Sequence, residues 1–149
     1  MKVNFELFNN EDYSELKDMI LGLYSEDPSS VSMEEEKILK TVKELIDHQD
    51  KGQIILFRIN NETVGYGIII FFWSNEYGGN IIYIDELFVK EEWRNKKIGT
   101  SFFNYLLENF GDKAVALKLE VTPRNVRARK YYENMGFKET RNVHLLKTI

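Results

Sequence analysis

Three β-rich runs follow one another with only turns between them: Gln53–Ile59, Thr63–Trp73 and Ile81–Val89. Asn60, Asn61 and Glu62 separate the first two, which predicts a short hairpin connection. Tyr77-Gly78-Gly79-Asn80 breaks the chain again before the third. Connections this short do not make the crossover that parallel neighbours need. The three runs are therefore predicted to be successive antiparallel strands, and every other element has to pack on the sheet they form.

Upstream, Val3, Phe5 and Leu7 alternate with polar residues and read as a first strand. A helix is predicted from about Asp12 to Tyr24, with Leu16, Met19, Ile20 and Leu23 on one face. Pro28 and the serines after it form a loop. Ser32 with Glu35 has the spacing of a capping box for a second helix, whose apolar residues are Ile38, Leu39, Val42, Leu45 and Ile46 and which is expected to end near Lys51-Gly52. Downstream, Gly99–Phe110 reads as a helix with Phe102, Phe103, Leu106, Leu107 and Phe110 at core spacing. Ala114–Val121 reads as a strand, Val126–Met135 as a helix, and Phe137 onward as a final strand or hairpin through Val143 and Leu145. The order β-α-α-β-β-β-α-β-α-β predicts an α+β fold. No repeat or linker divides it, so residues 1–149 are expected to form one domain.

Composition fits that size. With 149 residues, 43% apolar and 13% aromatic, the chain can bury the core of one domain. Its longest apolar run, Ile68–Trp73, is far short of the roughly 20 residues that span a bilayer, and no apolar signal segment opens the sequence. No membrane partner and a cytoplasmic location are expected. The absence of cysteine excludes disulfides, a thiol nucleophile and thiolate metal ligands, and His48 and His144 stand isolated, so no metal is expected. The net charge of -4 argues against nucleic acid as a partner. The signs are segregated, however: acidic residues crowd the first third, whereas Arg94, Lys96, Lys97, Arg124, Arg127, Arg129 and Lys130 gather later. An anion is expected near the second set, and the acidic third would suit a cationic partner or simply face solvent.

The strand Ile81–Val89 runs through Glu-Glu-Trp into Arg94-Asn95-Lys96-Lys97-Ile98-Gly99-Thr100, where a helix begins. Amides in the first turn of a helix lack intrahelical partners, the macrodipole adds positive potential, and Gly99 lets a ligand approach the main chain. Phosphate oxygens fit that surface. Cations at a helix N-terminus are disfavoured by about 0.3 to 1 kcal/mol each, so three of them are best explained by an anion that compensates. The alternative is a solvated basic turn.

About thirty residues further on stands Asn125-Val126-Arg127-Ala128-Arg129-Lys130-Tyr131-Tyr132-Glu133-Asn134-Met135-Gly136-Phe137. This N-x-x-A-x-x-x-Y-x-x-x-G-F pattern, after a strand and after an R-x-x-x-x-G-[AST] turn, resembles the GNAT superfamily of N-acetyltransferases. The resemblance is strongest from Ile81 to Phe137, and the strand order outside that stretch also suits it. It implies a single-domain, mixed and mostly antiparallel sheet flanked by helices, in which two central parallel strands, Ile81–Val89 and Ala114–Val121, splay apart around acetyl-CoA. It also implies backbone contacts from Leu87, Phe88 and Val89 to the pantetheine arm, a pyrophosphate seat from Arg94 to Thr100, and further contacts from Asn125 and Ala128. Homodimers are common in the family. One departure stands out: where the family pattern usually has glycine, this chain has Lys97, which is therefore expected to contribute its backbone alone.

Amide formation needs a neutral amine, whereas an amine with a lysine-like pKa near ~10 is almost wholly protonated at neutral pH. A base or a water relay is required. Three carboxylates are candidates, and the sequence leaves the choice open. Glu120 lies on the second splayed strand, at the spacing from Tyr132 that some ribosomal-protein acetyltransferases of the family use. Asp85 resembles by position the acid of polyamine acetyltransferases. Glu86 is its neighbour, and strand alternation turns the two to opposite faces unless a bulge intervenes. Each could also be a solvated carboxylate. The family pattern assigns Tyr132 as the acid that protonates the departing thiolate, with Tyr131 about 100° away around the helix. Asn125 reads as a helix cap, a pantetheine contact or both. Gly136 is predicted to close the helix in a left-handed conformation so that Phe137 turns inward. Tyr66, Trp73 and Tyr77 are candidates to wall an acceptor pocket or to fill the core.

Two functions follow. One is transfer of acetyl from CoA to a small-molecule or protein amine by direct attack in a ternary complex. The other is a non-catalytic acyl-CoA-binding sensor or interaction module.

Overall fold

The predicted hairpins form through backbone conformations that asparagine and glycine tolerate. In a computed structural model that describes residues 1–29 and 31–149, Asn60 and Asn61 both adopt positive φ, 49° and 66°. This is the backbone form whose twist matches that of two antiparallel strands. They join β2 (Gly52–Ile59) to β3 (Glu62–Ser74). Gly78, at φ 66°, lies in the turn to β4 (Gly79–Val89). Residues 1–119 form one compact unit and residues 120–149 another.

In the first unit the sheet order among the described residues is β1-β2-β3-β4-β5, with β1 at Asn4–Leu7 and β5 at Ala116–Leu119. The first three pairings are antiparallel; β4 and β5 are parallel, in register from Ile81↔Ala116 to Ile84↔Leu119. This is the mixed, mostly antiparallel α+β sheet that was expected. β1 and β5 are its two edges, so among the described residues the parallel pair lies at one side of the sheet and not at its centre as expected.

Alternation along the strands divides the core. Ile54, Leu56, Tyr66, Ile68 and Phe88 face α1 (Tyr13–Glu26) and α2 (Glu35–Asp47), whose Leu16, Met19, Ile20, Ile38, Val42 and Leu45 complete that layer. Phe57 meets Phe102 of α3 (Ile98–Phe110) with ring centroids 4.7 Å apart. Phe102 also lies over Gly67, where a Cβ would come within 2.6 Å of its ring. The missing side chain thus sets how closely α3 lies on the sheet.

Three local expectations are corrected. The Ser32–Glu35 capping box does not form: Ser32 Oγ donates to Glu34 Oε1 (3.2 Å), and Glu34 occupies the N-cap without a side-chain cap bond. α2 ends at Asp47, before Lys51-Gly52. No strand follows Phe137, and Val143, Leu145 and Leu146 are 85%, 93% and 91% exposed. An apolar alternation becomes a strand only beside a neighbour that completes its ladder, and residues 120–149 hold no second strand. Their ordered element is α4 (Val126–Asn134).

Candidate functional site

β4 carries the main irregularity of the sheet. Ile68 pairs with Glu86, yet Ile69 pairs with Ile84, so Asp85 is an extra residue in a β-bulge. Partners across a ladder share a face. Glu86 therefore joins Ile68 on the α1–α2 side, whereas unbroken alternation would have put it with Ile84. Asp85 is exposed, and Glu86 is only 8% exposed.

Tyr66, fully buried on β3, donates from its hydroxyl to Glu86 Oε2 at 3.4 Å, and the phenol of Tyr24 on α1 also acts on the carboxyl. Burial, then the charge of Asp85, pushes Glu86 up to about 7, against a smaller opposing pull from the two phenols. Tyr24 is pushed up to about 12 by burial and by its acidic neighbours. Burial and Glu86 hold Tyr66 far above the usual phenol range. Both phenols therefore remain proton donors throughout the physiological range. Tyr24 was not among the residues expected to form the site. Its only signal was its place at the end of the apolar face of α1.

Pairing with β5 ends at Ile84↔Leu119, whereas β4 continues to Val89. On that side no strand of the described residues pairs with Leu87, Phe88 and Val89, while β3 pairs with them on the other through Gly67, Tyr66 and Gly65. An unpaired stretch of strand edge is what an extended amide-bearing ligand needs in order to add its own hydrogen bonds. The parallel pairing thus stops before the stretch where the resemblance predicts backbone contacts to a ligand.

After β4, a turn at Glu91–Trp93 leads to α3. Asn95 and Lys97 both have positive φ, 62° and 61°, and Lys97 is the N-cap, at ψ 19°. Left-handed residues in such a turn belong to the backbone forms that build anion-binding concavities. The first intrahelical bond is Ser101 N to Lys97 O, 3.0 Å, so the amides of Ile98, Gly99 and Thr100 precede it in the first turn. Two of the cationic side chains are engaged locally. Arg94 donates from Nε to Val89 O (2.8 Å) and from Nη2 to both Glu26 oxygens (2.8 Å each). Lys96 donates to Glu92 O (2.9 Å) and lies over the Trp93 ring. Two of the three cations thus have local partners.

In the second unit Asn125 caps α4, its Oδ1 accepting from Ala128 N at 3.1 Å. Gly136 has φ 95°, and Phe137 N donates to Tyr132 O (3.1 Å), so the helix closes as expected. The Tyr132 ring stands edge-on to those of Tyr131 and Phe137, at 5.3 and 5.8 Å. Burial pushes Tyr132 up to about 12. Arg129 is engaged by Glu133 and Glu139. Glu120 falls one residue beyond β5, exposed, not on the strand as predicted. Trp73 and Tyr77, 67% and 59% exposed, sit at the β3–β4 turn, the end of β4 opposite to the bulge and the cradle. Among the described residues no cluster of ligands could hold a metal ion, and no helix is long and apolar enough to cross a membrane.

Comparison with known proteins shows the family and the fold. The profile of the acetyltransferase (GNAT) family matches residues 17–137. The chain belongs to the GNAT acetyltransferase family. As a GNAT chain it is 36% identical over 75 residues to thialysine N-epsilon-acetyltransferase of Bos taurus, a match covering 50% of this chain and 44% of that protein. The Sus scrofa protein of the same name is 32% identical over 77 residues, covering 51% and 45%. The matched stretch thus spans under half the length of these curated relatives. Among solved structures, a "possible acetyltransferase" from Clostridium difficile 630 superposes with TM-score 0.83 at 24% identity, over 100% of this chain and 99% of that one. AAC(6')-Iy, solved in complex with the bisubstrate analogue CoA-S-monomethyl-acetylneamine, gives 0.80 at 12% identity, over 100% and 99%. These two likenesses show that the GNAT fold is shared.

Proposed function

We propose that the protein transfers the acetyl group of acetyl-CoA to a primary amine. The observation that supports this most is β4 itself. One strand carries a buried carboxyl at its bulge, then an unpaired edge, then the turn into a helix N-terminus. These are, in order, a place for a proton, for an amide-bearing arm and for a pyrophosphate. Leu87, Phe88 and Val89 bind the arm through their backbone, and residues 94–100, Lys97 included, seat the phosphates chiefly by main-chain amides. Asn125 and Ala128 belong to the second motif of the cofactor site. Acetyl-CoA supplies the thioester that the amine attacks.

Glu86 is the base in this reading. A group titrating at about 7 is half ionised at neutral pH and still basic enough to take a proton from an amine as the C–N bond forms. As the C–N bond forms and the C–S bond breaks, the amine proton passes to Glu86 and the departing thiolate takes a proton. Tyr132 is assigned that donation, and its phenol, held up to about 12, keeps its proton to give. Asp85 adds negative charge that favours a cationic acceptor. Glu120, exposed beyond β5, is the less suitable base.

Thialysine is the first acceptor to try, because the curated relatives are named for it. With thialysine and acetyl-CoA, Glu86→Gln is expected to lower kcat/KM at pH 7 by about 10²- to 10⁴-fold, followed as CoA release. Turnover within a few-fold of wild type would overturn the assignment of the base. Acetyl-CoA binding without acetylation of thialysine, an aminoglycoside or a lysine peptide would overturn the transferase reading.

A further inference from the structure

We infer that Tyr24 and Tyr66 are positioning residues for Glu86, two phenols delivered from α1 and β3 that hold its side chain at the bulge and stabilise the carboxylate form. The inference rests on the reading of Glu86 as the base, and it concerns residues to which neither the family pattern nor the sequence assigns a role in proton transfer.

The geometry begins with Tyr66. It is 0% exposed, its ring lies 6.0 Å from that of Phe88, and its hydroxyl reaches Glu86 Oε2 at 3.4 Å. Phenylalanine would fill that part of the core equally well, and a buried hydroxyl without a partner costs about 1 to 3 kcal/mol. A buried carboxyl without donors costs more. Each group thus accounts for the presence of the other, and packing alone accounts for neither. Tyr24 brings a second phenol to bear on the carboxyl from the last turn of α1. That turn is tied down two residues later, where Glu26 receives Arg94 from the cradle turn. The Tyr24 hydroxyl is therefore delivered by an element anchored at the phosphate end of β4, so that base and cradle share one support.

The titratable groups acting on Glu86 are Tyr24 from α1, Tyr66 from β3 and Asp85 from its own strand, and Tyr83 acts in turn on Tyr24. Asp85 opposes ionisation of Glu86, and the two phenols favour it. A 3.4 Å contact is long for an O–H···O bond, so the grip has room to tighten as Glu86 ionises.

The test uses the full chain labelled with ¹³C at its glutamate carboxyls, titrated by NMR from about pH 5 to 9, with Glu86→Gln to assign the signal. Tyr24→Phe and Tyr66→Phe should each raise the Glu86 midpoint by roughly 0.3 to 1 unit, the equivalent of one net hydrogen bond. Asp85→Asn should lower it. The acidic limb of kcat/KM against pH for thialysine should move with the midpoint, and turnover should recover above the new limb. Midpoints unchanged or lowered in both phenylalanine variants would overturn the inference. A carboxyl signal that moves while the rate profile stays put would leave the clamp standing and remove Glu86 from the role of base. If Tyr66→Phe does not fold, half-buried Tyr24 carries the test alone.

Discussion

Lys97 occupies φ 61°, ψ 19°, where a side chain's Cβ crowds the neighbouring carbonyl and costs roughly 1 to 2 kcal/mol. The position was legible before the structure, because the family pattern usually has glycine there. The reason was not, since φ is fixed by how the turn delivers the chain into α3. Lysine has been kept in a glycine conformation, which leaves its Cβ beside the amides expected to receive phosphate. Lys97→Gly removes that strain, while the more flexible unfolded chain takes back about 0.5 to 1 kcal/mol. A net gain of up to about 1.5 kcal/mol in urea unfolding is expected, with acetyl-CoA binding equal or tighter by calorimetry. Lys97→Ala keeps the Cβ and should gain nothing. A clear loss of stability in the glycine variant would mean that the lysine side chain supports the turn in a way its exposure does not suggest.

At the scale of elements, features set by local chemistry were the ones that could be read. The Asn60-Asn61 turn, the Asn125 cap and the Gly136 terminus all depend on residues a few positions apart, and each formed as expected. The bulge at Asp85 depends on the register between β3 and β4, and Arg94 meets Glu26 across 68 positions, so neither leaves a local signature. The absent final strand belongs with these, because its pattern was real but a strand needs a neighbour. Gly67 is a long-range feature of the same kind. It looks like a flaw in β3, yet the fully buried Phe102 ring of α3 lies against it. Gly67→Ala should cost about 1 to 3 kcal/mol through overpacking, since Phe57 closes off one side of the ring. Because α3 carries the cradle amides, acetyl-CoA affinity should fall along with the unfolding midpoint. Unchanged values for both would show that the ring can yield and that the glycine does not set the helix position.

For the molecule as a whole, the buried carboxyl couples stability to pH with a sign opposite to that of the common ion-paired acid. Glu86 is raised from the ordinary 4.5 to about 7, so between those values the folded chain holds more protons than the unfolded one. Stability contributed by this group is fully present below about pH 4.5 and is lost as pH rises through about 7. The upper bound is on the order of 3 kcal/mol. Glu86→Gln replaces the carboxyl with a group that does not titrate and removes this contribution to the slope. In denaturant unfolding at pH 5 and pH 8, wild type should lose roughly 1 to 3 kcal/mol more than Glu86→Gln over the interval, and the variant should be the more stable of the two at pH 8. Equal losses would place the Glu86 midpoint near that of an ordinary carboxyl and remove the physical basis for a base that works at neutral pH. Deprotonation of Glu86 prepares it to accept the amine's proton, so activity should rise with pH across the same range in which the fold loses stability. The opposed slopes share one midpoint only if a single carboxyl governs both.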